Sequence, residues 1–441
     1  MIIKIANMPR SCVSLLLLLL IFARPSAAQE VTFNQDIAPI IHRNCTPCHR
    51  PGEAAPFPLV TYEDVARRAS FVREVVESGY MPPWKPDGAY RSFAHERKLT
   101  PEEISLIGRW AAAKAPKGKG SVKVPDFVNG TLYHRKPDLT LKTEKPFLVK
   151  GDNEERFIVF KIPFELADSM NVEAMEFVSN NKKVVHHANF GIHPVEEGVD
   201  IHGTAPYVDL SGDDRRQFDQ YLPYKKSMTY YGGWIPGTTL ESYPAGMGWV
   251  MPKRGVILLT VHFAPTGKDE ESITGVNLFF TKKPIERKVK LISIGSGGIG
   301  ERDIDPFFMI QADTVKTFTV KVATPADQSL LYIWPHMHLL GKRFRAWAVT
   351  PQGDTVRLVD IPDWDFKWQE IYRFKQLVKV PKGSVLTVEG TYDNTSKNPN
   401  NPFNPPRMIF ADGDMKTTQE MMTLIMVFLP YQPGDEQLAL D

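Results

Sequence analysis

The sequence is poor in cysteine, since its 441 residues contain only three, Cys12, Cys45 and Cys48. We expect Cys12 to be removed with an N-terminal signal segment, which leaves two. Two cysteines cannot build a disulfide framework, even in an oxidising compartment. Hydrophobic cores must therefore stabilise the fold, and the 42% of hydrophobic residues is sufficient for that.

An excess of charge is also absent, because 53 lysines and arginines face 51 acidic residues. A balanced chain has no strong field with which to attract a polyanion. No nucleic-acid partner is therefore expected.

Long apolar runs are absent after the N-terminus, where no stretch reaches the roughly 18 apolar residues of a spanning helix. The one early run, Val13–Ala23, follows Lys4 and Arg10 and precedes the small residues Ser26-Ala27-Ala28. This order is that of a secretory signal peptide. We expect residues 1–28 to be cleaved near Ala28, and the mature protein to be exported to the bacterial periplasm without a transmembrane segment.

The rest of the chain divides into a helical segment and a longer β-rich part. Residues 29–117 are predicted to be helical, because Thr61–Asp64 and Thr100–Glu103 are capping boxes that open apolar-periodic runs. Residues 118–130 are predicted to be a linker, since glycines and lysines end the second helix.

Beyond the linker, short apolar runs alternate with Gly, Pro, Asn and Asp, which predicts β-strands in sandwich or jelly-roll architecture. These runs are "RFIVFKI" (156–162), "VVHHANFGI" (184–192), "GVILLTVHFAP" (255–265), "SLLYIWPHMHL" (329–339), "RFRAWAV" (343–349), "SVLTVEGTY" (384–392) and "MMTLIMVFL" (421–429). The length exceeds one sandwich, so we predict two all-β jelly-roll domains, 131–290 and 291–441. The fold class is thus multidomain, a small all-α domain followed by two β-sandwiches.

The glycine-rich "GSGGIG" at 295–300 is expected to mark the junction of these domains. It matches the dinucleotide-binding pattern, which functions only between a strand and a helix. The following "ERDIDPFFM" does not predict a helix, so we interpret the segment as a turn.

The two remaining cysteines form Cys45-Thr-Pro-Cys48-His49, the C-x-x-C-H signature of c-type haem attachment. The thiols would add to the two haem vinyl groups, and His49 would ligate the iron. A reducible disulfide and half of a zinc site are the alternatives, with His42 as the only close extra zinc ligand. Met81, in "SGYMPPWKP", is the predicted sixth ligand, and His95 is its rival.

Residues 29–117 as a whole resemble a small class I cytochrome c. The resemblance rests on the motif near the N-terminus, the methionine loop and a closing amphipathic helix with Trp110. It implies one covalent haem c, held by Cys45, Cys48, His49 and Met81.

Five of the 11 histidines are grouped in a way that suggests metal binding. His336 and His338 are two apart on a predicted strand and so point to one face. His186 and His187 are adjacent, so they can share a metal only if the strand ends or twists there. His262 stands alone on "TVHFAP". Taken singly, each is more often a packed histidine than a ligand.

Their order, with a methionine-rich strand near the C-terminus, resembles the copper type II, ascorbate-dependent monooxygenases, the family of peptidylglycine α-hydroxylating monooxygenase and dopamine β-monooxygenase. The resemblance covers roughly residues 131–430 and rests on "VVHHANFGI", "VHFAP", "HMHLLGK", "GTYDNTSKNPNNP" and "TTQEMM". It implies one copper on His186, His187 and His262, which stores an electron. It implies a second, O2-activating copper on three catalytic ligands, His336, His338 and Met421.

Spacing alone cannot choose Met421 over Met422, and the family's Glu-Met pattern favours Met421. A thioether beside two imidazoles suits Cu(I), whereas zinc has no use for it. The resemblance has departures: Trp334, Thr423 and Ile425 stand where peptide-hydroxylating members anchor substrate, which argues against a peptidyl-glycine substrate. His134 and His193 match no family ligand and are interpreted as ordinary polar residues.

We therefore expect an exported haem- and copper-containing monooxygenase. An external donor would supply single electrons, which the haem would pass to the first copper and then to the second. O2 and a small organic substrate would be its reactants. The alternatives are an electron-transfer or copper-binding protein without turnover, and a carbohydrate- or surface-binding jelly roll that carries a redox module.

Overall fold

The computed structural model describes residues 30–124, 135–212, 216–237, 241–410 and 417–440. The predicted signal peptide, residues 125–130 of the predicted linker and His134 lie outside the described residues. Within them the chain is mostly β-sheet, arranged in several sheets as expected for more than one β-sandwich.

The helices lie in the N-terminal segment, and their bounds follow the capping signals. They are a π-helical turn Phe33–Ile37, α1 Ala38–Asn44, α2 Tyr62–Ala66, α3 Ala69–Glu77 and α4 Pro101–Ala112. Both predicted capping boxes are confirmed, on Thr61 with Asp64 and on Thr100 with Glu103. The apolar-periodic run that begins at the Thr61 capping box forms two helices, because Arg68 leaves helical geometry at φ −118° and ψ 12°.

These helices enclose a core of their own. Its fully buried members include Ile37, Ile41, Val65, Ile107 and Trp110. Among the residues that the structure describes, no helix is long and apolar enough to span a membrane.

The first group of strands forms a six-stranded and a five-stranded sheet. The strands are β1 Leu139–Lys142, β2 Phe147–Val149, β3 Arg156–Glu165, β4 Met170–Ser179, β5 Val185–Pro194, β6 Tyr207–Asp209, β7 Tyr230–Trp234, β8 Glu241–Ser242, β9 Met247–Met251, β10 Arg254–Phe263, β11 Glu270–Ser272, β12 Thr274–Phe280 and β13 Arg287–Lys288. One sheet has the order β1-β12-β4-β9-β13 with β8 beside β4, the other has β6-β3-β10-β5-β7, and β11 pairs with β2.

The second group forms two four-stranded sheets and a small ribbon. Its strands are β14 Lys290–Gly295, β15 Met309–Ile310, β16 Val315–Ala323, β17 Gln328–His336, β18 Gly341–Val349, β19 Thr355–Ile361, β20 Tyr372–Val380, β21 Val385–Asp393, β22 Ile409–Phe410 and β23 Thr423–Pro430. The orders are β14-β23-β17-β20 and β16-β21-β18-β19, with β15 paired to β22. Each of the seven apolar runs quoted above forms most of a strand, but His338 lies beyond the end of β17, and Met421 and Met422 precede β23.

Short 3-10 turns connect several strands. They are Lys182–Val184, Arg216–Tyr224, Glu301–Asp303, Phe366–Trp368 and Asp435–Gln437. The turn Phe366–Trp368, between β19 and β20, bears directly on the candidate site.

One continuous hydrophobic cluster runs through both groups of strands, and Phe93 of the N-terminal segment packs into it. The Phe93 ring lies 5.0 Å from Tyr372 and 5.6 Å from Phe374, both on β20. The helical segment is therefore anchored on the β-structure by a buried aromatic contact.

The chain passes from the first group of strands to the second between β13 and β14, before the glycine-rich segment begins. β13 pairs with β9 of the first group, whereas β14 already pairs with β23 of the second. Residues 295–300 therefore follow the crossover instead of marking it. No α-helix follows them, and Ser296 binds β23, because its Oγ accepts from Met422 N (3.0 Å) and its carbonyl accepts from Thr423 Oγ1 (2.8 Å).

A buried ion pair joins the two groups of strands. The Asp435 carboxylate accepts from Arg287 Nη1 and Nη2, each at 2.7 Å, and from Ser329 Oγ at 2.6 Å. Burial raises the pKa of Asp435, but these hydrogen bonds outweigh it and hold the pKa below its usual value.

Asp435→Asn is expected to lower the free energy of unfolding by about 3 kcal/mol at pH 7, because it leaves Arg287 buried without its charge partner. A depressed carboxyl pKa stabilises the fold above the unfolded pKa of about 3.9 and loses that contribution as the pH falls through the folded value. The difference between wild type and variant in urea denaturation should therefore shrink in acid. Glu63→Gln, which removes an exposed pair with Lys117, is the control, and an equal loss in both variants would contradict this account.

Candidate metal centres

The first histidine group sits where β5 and β10 pair. His262 on β10 faces His187, but the next pair is Phe263 with Val185, so the register shifts by one residue. His186 is therefore the extra residue of a β-bulge, which turns a side chain that would otherwise point to the opposite face. The condition set by the sequence, an interruption between adjacent histidines, is met.

The bulge brings three imidazoles together. His186 Nδ1 lies 3.2 Å from His262 Nδ1 and 3.3 Å from His187 Nδ1. One ring nitrogen of each residue falls within 4.8 Å of the others, a spacing that one metal ion can bridge. Three imidazoles around one point suit copper, zinc and other borderline-soft ions.

A carboxylate orients the third histidine. His262 Nε2 lies 3.2 Å from Glu155 Oε2, and Glu155 also accepts from Thr417 Oγ1 at 2.9 Å. A carboxylate this close to Nε2 favours the proton on that nitrogen, which turns the Nδ1 lone pair toward the other two rings. Burial raises the pKa of Glu155, but His262 and Thr417 lower it further, so the group is ionised.

His186 and His187 of this group are neutral at physiological pH. Burial, followed by repulsion from His262, lowers the pKa of His186 to about 3 and that of His187 well below its usual value. Neutral imidazole is the form that binds a metal.

The second group lies at the end of β17. His336 Nε2 and His338 Nε2 are 3.2 Å apart. His336 Nδ1 lies 2.6 Å from Gln369 Oε1, and His338 Nδ1 lies 2.8 Å from the carbonyl of Gln419. Gln369 Nε2 donates to Phe366 O at 3.1 Å, which fixes the amide so that its oxygen faces His336.

These contacts determine the tautomers. Both partners of the Nδ1 atoms are oxygen acceptors, so each Nδ1 carries the proton and each Nε2 presents a lone pair. Burial lowers the pKa of His336 to about 4, so that ring is neutral. Two lone pairs that face each other at this distance fit a shared cation.

The two methionines differ in environment. Met422 is fully buried, and its sulfur packs against Gly390 in the core of the second group of strands. Met421 is half-buried, and its carbonyl accepts from Tyr392 Oη at 2.7 Å. The preceding Glu420 holds the segment beside the histidines, because its carboxylate accepts from His338 N (3.0 Å) and Leu340 N (2.6 Å). The Met422 side chain is thus part of the core, whereas the Met421 side chain is only half-buried and directly follows Glu420, which binds the backbone of His338.

The two histidine groups are neighbours. The His187 and His336 ring centroids are 6.3 Å apart. The Phe366 ring lies between the groups, 5.0 Å from His186 and 5.8 Å from His338. The five imidazoles therefore form one buried assembly with two separate sets of converging nitrogens.

The three residues that replace the expected substrate anchors surround His336. Thr423 pairs with His336, and Ile425 pairs with Trp334, across β17 and β23. All three side chains are buried. The Trp334 ring occupies the space above Gly233, where any Cβ would clash with it. The wall beside His336 is thus largely apolar, with the Thr423 hydroxyl already donated to Ser296.

The C-x-x-C-H motif lies after α1, and both cysteines are free thiols. The disulfide alternative is therefore not formed. Burial raises the pKa of Cys45 to about 12 and also raises that of Cys48. Within the described part of the chain, the His186/His187/His262 set is the only group of three or more His, Cys, Asp or Glu side chains that fits a metal, and His42 Nε2 is engaged with Val60 O at 3.0 Å. These contacts do not favour a zinc site.

His49 is oriented for axial ligation. Its Nδ1 lies 3.0 Å from Phe57 O, so the proton resides there and Nε2 is available. Phe57 contacts Phe71 on α3, and one turn later Val75 O accepts from Met81 N at 3.0 Å. The same face of α3 thus borders both His49 and Met81. Free adjacent thiols, an oriented imidazole and a thioether form a donor set that fits haem c.

His95, the rival of Met81, is exposed and lines a cavity of about 540 Å³ between the helical segment and the β-structure. None of the predicted haem or copper ligands lines this cavity.

His193, interpreted as an ordinary polar residue, is buried with Nδ1 2.8 Å from Ser227 O.

Sequence reasoning missed the residues that orient the imidazoles, namely Glu155, Gln369, Phe366 and the Gln419 carbonyl. Glu155 and Phe366 stand in ordinary strand and turn contexts, so the sequence carried no signal for them. Glu420 was noted only as part of a Glu-Met pattern.

The comparisons with known proteins assign no family to this chain. No protein-family model and no curated protein matches it. A structure of allantoicase is 11% identical and covers 56% of this chain and 79% of its own, with a TM-score of 0.16. A structure of the PBSX exported protein XepA is 10% identical and covers 58% and 86%, with a TM-score of 0.17. An oxalate decarboxylase structure is 10% identical and covers 70% and 85%, with a TM-score of 0.12. TM-scores this low establish no fold relationship.

Glu155→Gln is expected to weaken metal binding to the three-histidine set by about 10- to 100-fold, the usual effect of losing a carboxylate that orients a histidine ligand. Titration of the metal-free protein with Cu(II) or Zn(II) measures the affinity. Glu154→Gln, one residue away with an exposed side chain, is the matched control. Equal affinity in both variants would show that Glu155 does not act on the site.

Proposed function

We propose that this chain is an exported haem- and copper-containing oxidoreductase of monooxygenase type. In this proposal His186, His187 and His262 hold one copper, His336, His338 and Met421 hold a second, and Cys45, Cys48, His49 and Met81 hold a covalent haem c. Bound copper would supply O2 activation for hydroxylation of a C–H bond, and haem would supply one-electron reduction from an external donor.

The observation that carries this proposal is the convergence of five imidazoles into two sets of facing ring nitrogens. In the second set, His336 and His338 each donate Nδ1–H to an oxygen acceptor outside the assembly and turn Nε2 inward. Two sets of converging imidazole nitrogens are suited to two soft or borderline cations.

The ligand difference between the two sets supports different roles. The first set is nitrogen only and lies on the first group of strands. The second set has two imidazoles, and the half-buried Met421 follows Glu420, which binds the backbone of His338. A thioether at this site would favour the cuprous state. Buried Phe366 and Trp334 exclude water from this side, and the apolar wall of Trp334 and Ile425 suits a small apolar C–H substrate.

The helical segment supports a resident electron source. It resembles a class I cytochrome c in its motif and methionine loop, and it is packed onto the β-structure through Phe93. A Cβ on Gly237 of the first group of strands would clash with Cys48 Sγ and the Arg97 guanidinium, so the two parts approach closely at the thiol motif.

Met421→Leu is expected to abolish substrate-dependent O2 uptake while leaving the haem spectrum unchanged, because leucine keeps the volume and removes the thioether. Met422→Leu makes the same change one residue away and should keep turnover, since volume-conserving core exchanges cost less than about 1.5 kcal/mol. Metal analysis and O2 uptake with a panel of small C–H substrates test the pair. Two coppers and one haem without any O2 uptake in the wild type would favour an electron-transfer or copper-binding protein instead.

A further inference from the structure

One loop contacts both the helical segment and the histidine assembly. We call residues 363–371, between β19 and β20, the bridging loop. It contains the 3-10 turn Phe366–Trp368. Its two sides make different kinds of contact.

The side toward the helical segment contacts the methionine loop. The Trp368 ring lies 6.0 Å from the Tyr80 ring, edge to face at 77°. Lys85 Nζ lies 3.1 Å from Asp363, and Arg97 forms an ion pair with Glu370. Opposite charges on both sides of the aromatic contact hold the loop against the segment.

The side toward the metal centres contacts the second histidine set by hydrogen bond. Gln369 is buried, and its Oε1 lies 2.6 Å from His336 Nδ1. Phe366 contacts the first set only through ring packing, 5.0 Å from His186.

We propose that Tyr80, Trp368 and Gln369 form an electron path from the methionine loop to His336, so that electrons reach the His336/His338 set without first passing through the His186/His187/His262 set. The path rests on the proposed function, because it needs haem at Met81 and copper at His336. It differs from the order expected from sequence, in which the three-histidine set received the electron first.

The path runs mostly through covalent bonds and contains one step through space. Tyr80 is the covalent neighbour of Met81, and Trp368 is the covalent neighbour of Gln369. The single through-space step is the Tyr80–Trp368 ring contact. The last step is the Gln369–His336 hydrogen bond, whereas Phe366 reaches the first set by ring packing.

The redox step balances with one electron. With both groups bound, ferrous haem would be oxidised to ferric, and Cu(II) held by His336 and His338 would be reduced to Cu(I). A soluble one-electron reductant would then restore the ferrous haem. No proton has to leave His336, because Gln369 only accepts from its Nδ1–H.

The test uses the full-length protein loaded with haem and Cu(II). The haem is reduced without O2, and its reoxidation is followed by absorbance while the Cu(II) electron paramagnetic resonance signal is followed in parallel. Trp368→Leu should lose the fast phase of reoxidation. Trp347→Leu, the same change at a half-buried tryptophan on β18, should keep it.

Controls separate the path from the folding of the variants and from the proposed function. Haem spectrum and copper content should be unchanged in Trp368→Leu, and a soluble reductant that reduces copper directly should support the same O2 uptake as in wild type. An unchanged fast phase in Trp368→Leu overturns the path, as does wild-type haem that Cu(II) does not reoxidise. The proposed function is judged separately, by O2 uptake with the soluble reductant.

Discussion

The arrangement depends on one constraint: five imidazoles are held in one assembly, with the ring nitrogens of each set turned toward each other. Burial lowers the pKa of His186 to about 3 and that of His336 to about 4, which keeps these rings uncharged. Gln369 and the Gln419 carbonyl accept the Nδ1 protons of His336 and His338, so their Nε2 lone pairs face each other. Facing lone pairs repel, so this geometry is stable only with a cation between them or with strong support around it.

That support comes from parts of the chain far apart in sequence. Thr417 binds Glu155, Glu420 binds the backbone of His338, and the bridging loop provides Gln369 and Phe366. The segment that carries Met421 therefore touches both histidine sets. A change at either set would be transmitted to the other through these shared contacts. The nearness of the sets also makes direct electron exchange between them physically simple.

The helical segment packs directly on the β-structure that carries the histidine sets. It has its own core around Trp110, yet Phe93 is buried in the β-core, and Arg97 pairs with Glu370 of the bridging loop. Ion pairs and aromatic packing fix the methionine loop against the loop that orients His336. Under the proposed function, these fixed contacts would couple the supply of electrons to the O2 chemistry.

The sequence by itself determined the local features: both capping boxes, the seven quoted strands, the thiol-histidine motif and the five grouped histidines all follow from short-range pattern. It also stated the condition for His186 and His187, an interruption of the strand, but not that a β-bulge opposite His262 would provide it. Only the tertiary structure decided which nitrogens converge and that the two histidine sets are neighbours. It also decided how the environments of Met421 and Met422 differ, and that the chain passes to the second group of strands before Gly295. The reason is physical, because hydrogen-bond acceptors such as Glu155 and Gln369 carry no local signature, and they act only once distant strands have brought them to the rings.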